Sequence, residues 1–150
     1  MRIRLDHITK AFKTTVAVDN ISFTIEDGEM ICLLGPSGCG KSTTLSMVAG
    51  LEQPTSGEIY FDDRPMSGVE AEDRDIGMVF QNYALYPHMT VCQNILFPLQ
   101  NLKGEDRPSK EKMLERATEA ARLVQINDLM DRKPSELSGG QQQRVAIARA

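Results

Sequence analysis

The chain has 150 residues, 41% hydrophobic, 25% charged and 5% aromatic, which is the make-up of a globular domain and excludes disordered, collagen-like and disulfide-scaffolded classes. Seventeen Lys and Arg against twenty-one Asp and Glu leave a net charge of −4, so no cationic field recommends nucleic acid or acidic lipid as a partner. The longest apolar run, 30–34, falls far short of the roughly 18 residues of a membrane span. Arg2, Arg4 and Asp6 interrupt a secretory start, and Cys32, Cys39 and Cys92 lack metal-type spacing and read as reduced thiols of a cytoplasmic chain.

In chain order, Ile3 and Leu5, then Val16, Val18, Ile21, Phe23 and Ile25 recur at or near period two and predict a half-buried sheet. Asp27-Gly28 signals a turn, and the continuous apolar run Met30-Ile31-Cys32-Leu33-Leu34 predicts a strand buried on both faces of a parallel sheet. A glycine-rich loop follows. From Lys41 a helix is expected with Leu45, Val48 and Ala49 on one face, stopping at Gly50. Two short strands, 58–61 and 76–80, flank a polar loop containing Pro65 and Gly68. A short helix over 90–99 is expected to end near Pro98, and 103–108 is a charged linker. A long helix is expected from a Ser109 cap to about Ile126, with Met113, Leu114, Ala117, Ala120, Ala121 and Val124 on its apolar side. Its Glu111, Lys112, Glu115, Arg116 and Glu119 make a solvated face. The remaining residues begin another helix, which the sequence leaves without a cap or stop.

Two motifs carry chemistry. Gly35-Pro36-Ser37-Gly38-Cys39-Gly40-Lys41-Ser42, with Thr43 after it, satisfies the phosphate-loop pattern between a strand and a helix. Its glycines let successive backbone N–H groups turn inward as an anion nest, and the helix adds its positive end. Lys41 is the mobile charge for β- and γ-phosphates, and the Ser42 hydroxyl is a hard oxygen ligand for Mg²⁺. Cys39 carries a thiol near a helix N-terminus, which suits either a redox switch or a small residue whose backbone alone matters. The second motif, Leu137-Ser138-Gly139-Gly140-Gln141, opens a helix. Ser138 is its expected cap, and two glycines leave amides open to an anion.

With both motifs in place the chain resembles the nucleotide-binding subunit of ABC transporters over all 150 residues. The resemblance implies an α/β P-loop core with an N-terminal antiparallel β part and a helical segment, about 82–137, within one ATP-binding domain, 1–150. It implies ATP with Mg²⁺, held by Ser37, Gly38, Cys39, Gly40, Lys41, Ser42 and Thr43. It also implies a head-to-tail partner subunit, whose bound γ-phosphate meets Ser138, Gly139, Gly140 and Gln141. Phe12 matches the aromatic position that stacks on adenine, a core phenylalanine being the other reading. Gln81 matches the glutamine that contacts Mg²⁺ and the attacking water. The stretch 81–88 is similar to sugar importers, which implies a docking surface for membrane-spanning permeases at Tyr83, Leu85, Tyr86 and His88, or else a partly buried loop, and a peripheral location at the inner membrane face.

The same family carries, after the signature helix, a strand ending in Asp-Glu and a switch histidine; nothing of this follows Ala150. The expectation is a chain cut short, without the C-terminal half of the core and with negligible hydrolysis alone, since a lost general base costs about 10² to 10⁴ in rate. Asp62 and Asp63 close a strand into a turn and are not assigned to catalysis. The alternatives are a non-catalytic ATP-binding module, and a soluble ATPase acting on nucleic acid, which the acidic charge opposes.

Overall fold

The structure is a computed structural model that describes residues 1–102 and 107–150; by their internal contacts these form two units, Met1–Ile76 and Gly77–Ala150. Most of the expected linker 103–108 lies outside the described residues.

In the first unit the apolar spacing changes phase twice, and the backbone shows why. Strands β1 (Ile3–Phe12) and β2 (Thr15–Ile25) pair antiparallel, with Ile3 opposite Ile25, Leu5 opposite Phe23 and, after a register shift, Ile8 opposite Ile21. His7 and Asn20 stand at φ 51° and 45° at this irregularity. A bulge of this kind flips side-chain parity, so that Leu5 and Ile8 are both buried although one is odd and the other even. Strand β3 (Ser56–Phe61) pairs with the other edge of β1, and the short β4 (Arg64–Pro65) completes the order β2-β1-β3-β4, antiparallel throughout. Asp62-Asp63 is the turn between β3 and β4, as read, but Pro65 belongs to the edge strand rather than to loop. The core joins Leu5, Ile8, Val18, Ile59 and Phe61 to Met47 of helix α1 (Lys41–Val48) and to Met66.

Two expectations are corrected here. The run 30–34 is not a strand: Met30 is 95% and Leu34 86% exposed. Such a run becomes a strand only when neighbours supply both ladders, and among the described residues none lies beside it. In α1 the buried residues are Thr44 and Met47, followed by Ala49, while Leu45 is 52% exposed. The Thr44 hydroxyl donates to the Gly40 carbonyl at 3.0 Å, and Met47 fills the sheet core, which turns Leu45 outward.

The predicted strand 76–80, which begins at the last residue of the first unit, is likewise unpaired, with Val79 and Phe80 exposed, for the same want of a ladder. Helix α2 (Val91–Asn101) starts at a Thr90 cap reciprocated by Gln93 and runs through Pro98 rather than ending there. Proline withdraws one donor, the one owed to the Asn94 carbonyl, and the helix carries on for a further turn. Helix α3 (Lys110–Leu123) is capped by Ser109 and buries Met113, Ala117 and Ala121, with Leu114 exposed. Helix α4 (Gly139–Arg149) buries Val145 and Ala146. These three pack around Val91, Ile95, Ala121, Ile126, Leu129 and Val145. Among the described residues no helix is long and apolar enough to cross a membrane.

Candidate functional site

The phosphate-loop motif lies in the first unit and is exposed almost throughout. Gly40, the residue before α1, stands at φ 90° and gives the helix no side-chain cap, and no acidic residue occupies the first turn. The first N–H groups of a helix have no intrahelical acceptor, so a positive end is left open toward the loop. A Cβ at Gly40 would stand 2.4 Å from the Ala17 carbonyl oxygen and 3.0 Å from a Val18 methyl; the loop lies on β2 with room for backbone alone. The Lys41 ammonium donates to the carbonyls of Gly35 at 2.8 Å and Pro36 at 2.7 Å and lies 3.4 Å from the Cys39 sulfur. It is thus held over the loop and surrounded by acceptors without a carboxylate. Ser37, Gly38, Cys39 and Ser42 are exposed, and Thr43 is half-buried.

This set of groups suits an anion with a small cation. Amide donors, a helix end and one lysine carry no negative charge to oppose phosphate. The Ser42 hydroxyl is a hard oxygen of the kind Mg²⁺ takes as a ligand, and among the described residues no group of three or more His, Cys, Asp or Glu could hold a metal. The hollow of about 600 Å³ on α3 is larger than the one of about 340 Å³ lined by Cys39, Gly40, Lys41 and Thr44, but Glu111, Glu115 and Glu119 line it with Arg122 as the one cation among the described lining residues, and three carboxylates repel a polyphosphate.

Phe12 ends β1 and is 43% exposed, with the Lys10 ammonium 4.8 Å from its ring centroid. It belongs to the same unit as the loop, and the core reading of Phe12 falls away with its exposure. The Asp62 carboxylate accepts from the Arg2 N–H and Asp63 pairs with the Arg2 guanidinium, which accounts for both as turn residues.

In the second unit, Ser138 caps α4. Its hydroxyl accepts from the Gln141 N–H at 3.4 Å, while the Gln141 side chain accepts from the Ser138 N–H at 2.8 Å. Gly139 and Gly140 are exposed, and a Cβ on either would meet nothing within 4 Å; their amides belong to the first turn, which carries no acid. Gln81 is exposed in a turn. Of the four residues read as a docking surface, His88 is exposed, whereas Leu85 packs on the helical core and Tyr86 lies 4.6 Å from the Phe97 ring. The structure groups the phosphate loop with Phe12 in one unit, and Gln81 with the signature in the other.

Three buried or bridging polar groups have no counterpart in the sequence patterns. Asn94 is fully buried, accepts from the Tyr86 N–H and donates to the carbonyls of Tyr86, Met89 and Thr90, so it shapes 86–90 from within. Arg74, 3% exposed, donates to Met47 and Val48 at the end of α1 and to Met66 and Val69. Burial lowers its pKa, partly offset by Glu58 and Glu70. Arg149 donates to the carbonyls of Tyr83 and Ala84. The only advance signal was their chemistry, amide and guanidinium groups that require partners when covered. The three cysteines are free; burial, and then the Asp131 carboxylate, raise the Cys92 thiol above its usual range, whereas Cys32 and Cys39 are exposed.

The family described as ABC transporter matches residues 18–150. A xylose/arabinose import ATP-binding protein, XacJ of Haloferax volcanii, is 56% identical over 149 residues, covering 99% of this chain and 38% of its own length. The sn-glycerol-3-phosphate import ATP-binding protein UgpC of Bartonella quintana is 51% identical, covering 98% of this chain and 41% of its own. The chain therefore spans about two fifths of the length of these relatives. Among solved structures, the ATP-binding cassette MJ0796, dimeric and bound to ADP and Pi, superposes with a TM-score of 0.88 at 36% identity, over 98% of this chain and 68% of that one. The α/β fold expected from the sequence, with its antiparallel N-terminal part and signature-bearing helices, is that of this cassette.

Proposed function

The chain belongs to the ABC transporter family, and from that premise we propose that it is the nucleotide-binding part of an importer's ATP-hydrolysing subunit, serving a small solute of the carbohydrate class. The observation that carries the reading is the open, acid-free helix end at Gly40 with Lys41 held over its loop. The names of the relatives support the solute class, since they import xylose and arabinose or glycerol 3-phosphate.

In this reading 1–150 is one ATP-binding domain, with 82–137 as a helical subdomain. The amides of Ser37, Gly38, Cys39, Gly40, Lys41, Ser42 and Thr43 hold the phosphates, and Phe12 offers its ring to the base. The Lys41 ammonium exchanges its two carbonyl acceptors for phosphate oxygens, a stronger, charge-assisted pairing. Ser42 and Gln81 are the side-chain ligands for Mg²⁺, and Gln81 orients water. Mg²⁺, when bound, withdraws charge from the phosphates. Ser138, Gly139, Gly140 and Gln141 present a second anion-binding helix end to the nucleotide of a partner subunit in a head-to-tail dimer. The 83–88 stretch docks on permease subunits, chiefly through the exposed His88 and the outer face of the Tyr86 loop, which puts the subunit at the inner face of the membrane.

The test is equilibrium binding of a fluorescent ATP analogue with Mg²⁺ to the chain and to Lys41→Ala. Saturable binding is expected, weakened on the order of 10- to 100-fold in the variant, as befits one charged hydrogen-bonding group. Equal binding by both proteins refutes the site.

A further inference from the structure

We propose that Arg149 is a positioning residue for Gln81: through it, the helix that presents Ser138, Gly139 and Gly140 at its start holds, at its far end, the turn that directly follows Gln81. The inference rests on the roles read for Gln81 and the signature. Tyr83 and Ala84 stand consecutively in the left-handed region, at φ 61° and 48°, a conformation that a side chain disfavours. Their N–H groups close the turn locally, to the carbonyls of Phe80 at 2.9 Å and Asn82 at 2.7 Å. Their own carbonyls are both taken by one guanidinium. Arg149 Nη1 donates to Ala84 at 2.7 Å and Nη2 to Tyr83 at 3.1 Å, with Cζ 5.7 Å from the Tyr86 ring centroid.

A planar fork of fixed donors fits two adjacent carbonyls, which a single ammonium does not reproduce. The same end of α4 also lies against Gly77, where a Cβ would stand 2.6 Å from the Ala150 carbonyl oxygen. The segment around Gln81 therefore lies close against the end of α4 at Gly77 and is hydrogen-bonded to it at Tyr83-Ala84. α4 is a stiff rod of eleven residues, anchored midway by the buried Val145 and Ala146 and at its start by Gln142, whose side-chain N–H donates to the carbonyls of Pro134 and Leu137. A pull on the turn at 83–86 thus reaches both Gln81 and the helix that carries the signature.

Amide hydrogen exchange of the chain, without nucleotide, tests the tie in Arg149→Met, Arg149→Lys and Arg144→Gln. Exchange at 82–86 is expected to quicken about tenfold or more in Arg149→Met, by less in Arg149→Lys, and not at all in Arg144→Gln, which removes a charge from the same helix. Unchanged exchange in Arg149→Met overturns the proposal, as does a loss of protection spread evenly over α2, α3 and α4. In the assembled transporter, Arg149→Met is expected to lower kcat for ATP hydrolysis with KM for ATP kept, and Arg149→Lys to recover part of it. A raised KM at unchanged kcat overturns the link to Gln81. Failure of the wild-type chain to bind nucleotide refutes the ATP reading and leaves the exchange result standing, so the two failures are told apart.

Discussion

Gly38 and Gly40 share a left-handed backbone, at φ 82° and 90°, yet a side chain at Gly38 would meet nothing within 4 Å while one at Gly40 would strike the Ala17 carbonyl. Gly38→Ala carries only the conformational cost, about 1 kcal/mol. Gly40→Ala adds an overlap with backbone that cannot move without displacing β2, for a total of about 3 kcal/mol. Urea unfolding of the two variants is expected to show this order, and equal losses would mean that the loop does not press on β2. The glycines themselves were legible from the motif. Which of them is irreplaceable was not, because the obstacle is an atom of Ala17, more than twenty residues upstream.

At the scale of the element, the caps follow from local chemistry and were readable. Ser109 and Ser138 were expected caps, and both side chains accept from the N–H three residues on. Ser138→Ala and Thr90→Ala are each expected to lower stability by about 1 kcal/mol, and Ser138→Asp to retain most of it; thermal unfolding checks the set. Pro98 misled because a proline's effect on a helix depends on what holds the rest of the helix. Here the buried Val91, Asn94 and Ile95 anchor α2 before the proline. The runs 30–34 and 76–80 misled in the opposite direction: β-propensity describes a surface ready to pair, and pairing needs a neighbour.

For the molecule as a whole, exposed apolar side chains are the conspicuous feature, with Met30, Leu34, Leu45 and Leu51 on the first unit and Val79, Phe80, Leu123 and Ile147 on the second. Patches of this sort favour association, and an unpaired apolar run is open to strand addition. The chain is expected to enhance the fluorescence of an apolar-binding dye and to associate as its concentration rises in sedimentation velocity. The double variant Met30→Lys, Leu34→Lys should weaken both effects. An unaltered association in that variant would assign it to another surface.

The phosphate loop, the signature and the Ser109 and Ser138 caps were determined by the sequence alone, because each is written in residues adjacent along the chain. Tertiary structure decided the rest. Arg74 and Arg149 satisfy backbone carbonyls of other segments, up to 66 residues away in sequence for Arg149 and Tyr83, and no local pattern encodes such a pairing. Likewise, whether an apolar run is a strand depends on the backbone beside it, and whether a glycine is essential depends on the atoms above it. These are properties of neighbours in space, which the chain acquires only on folding.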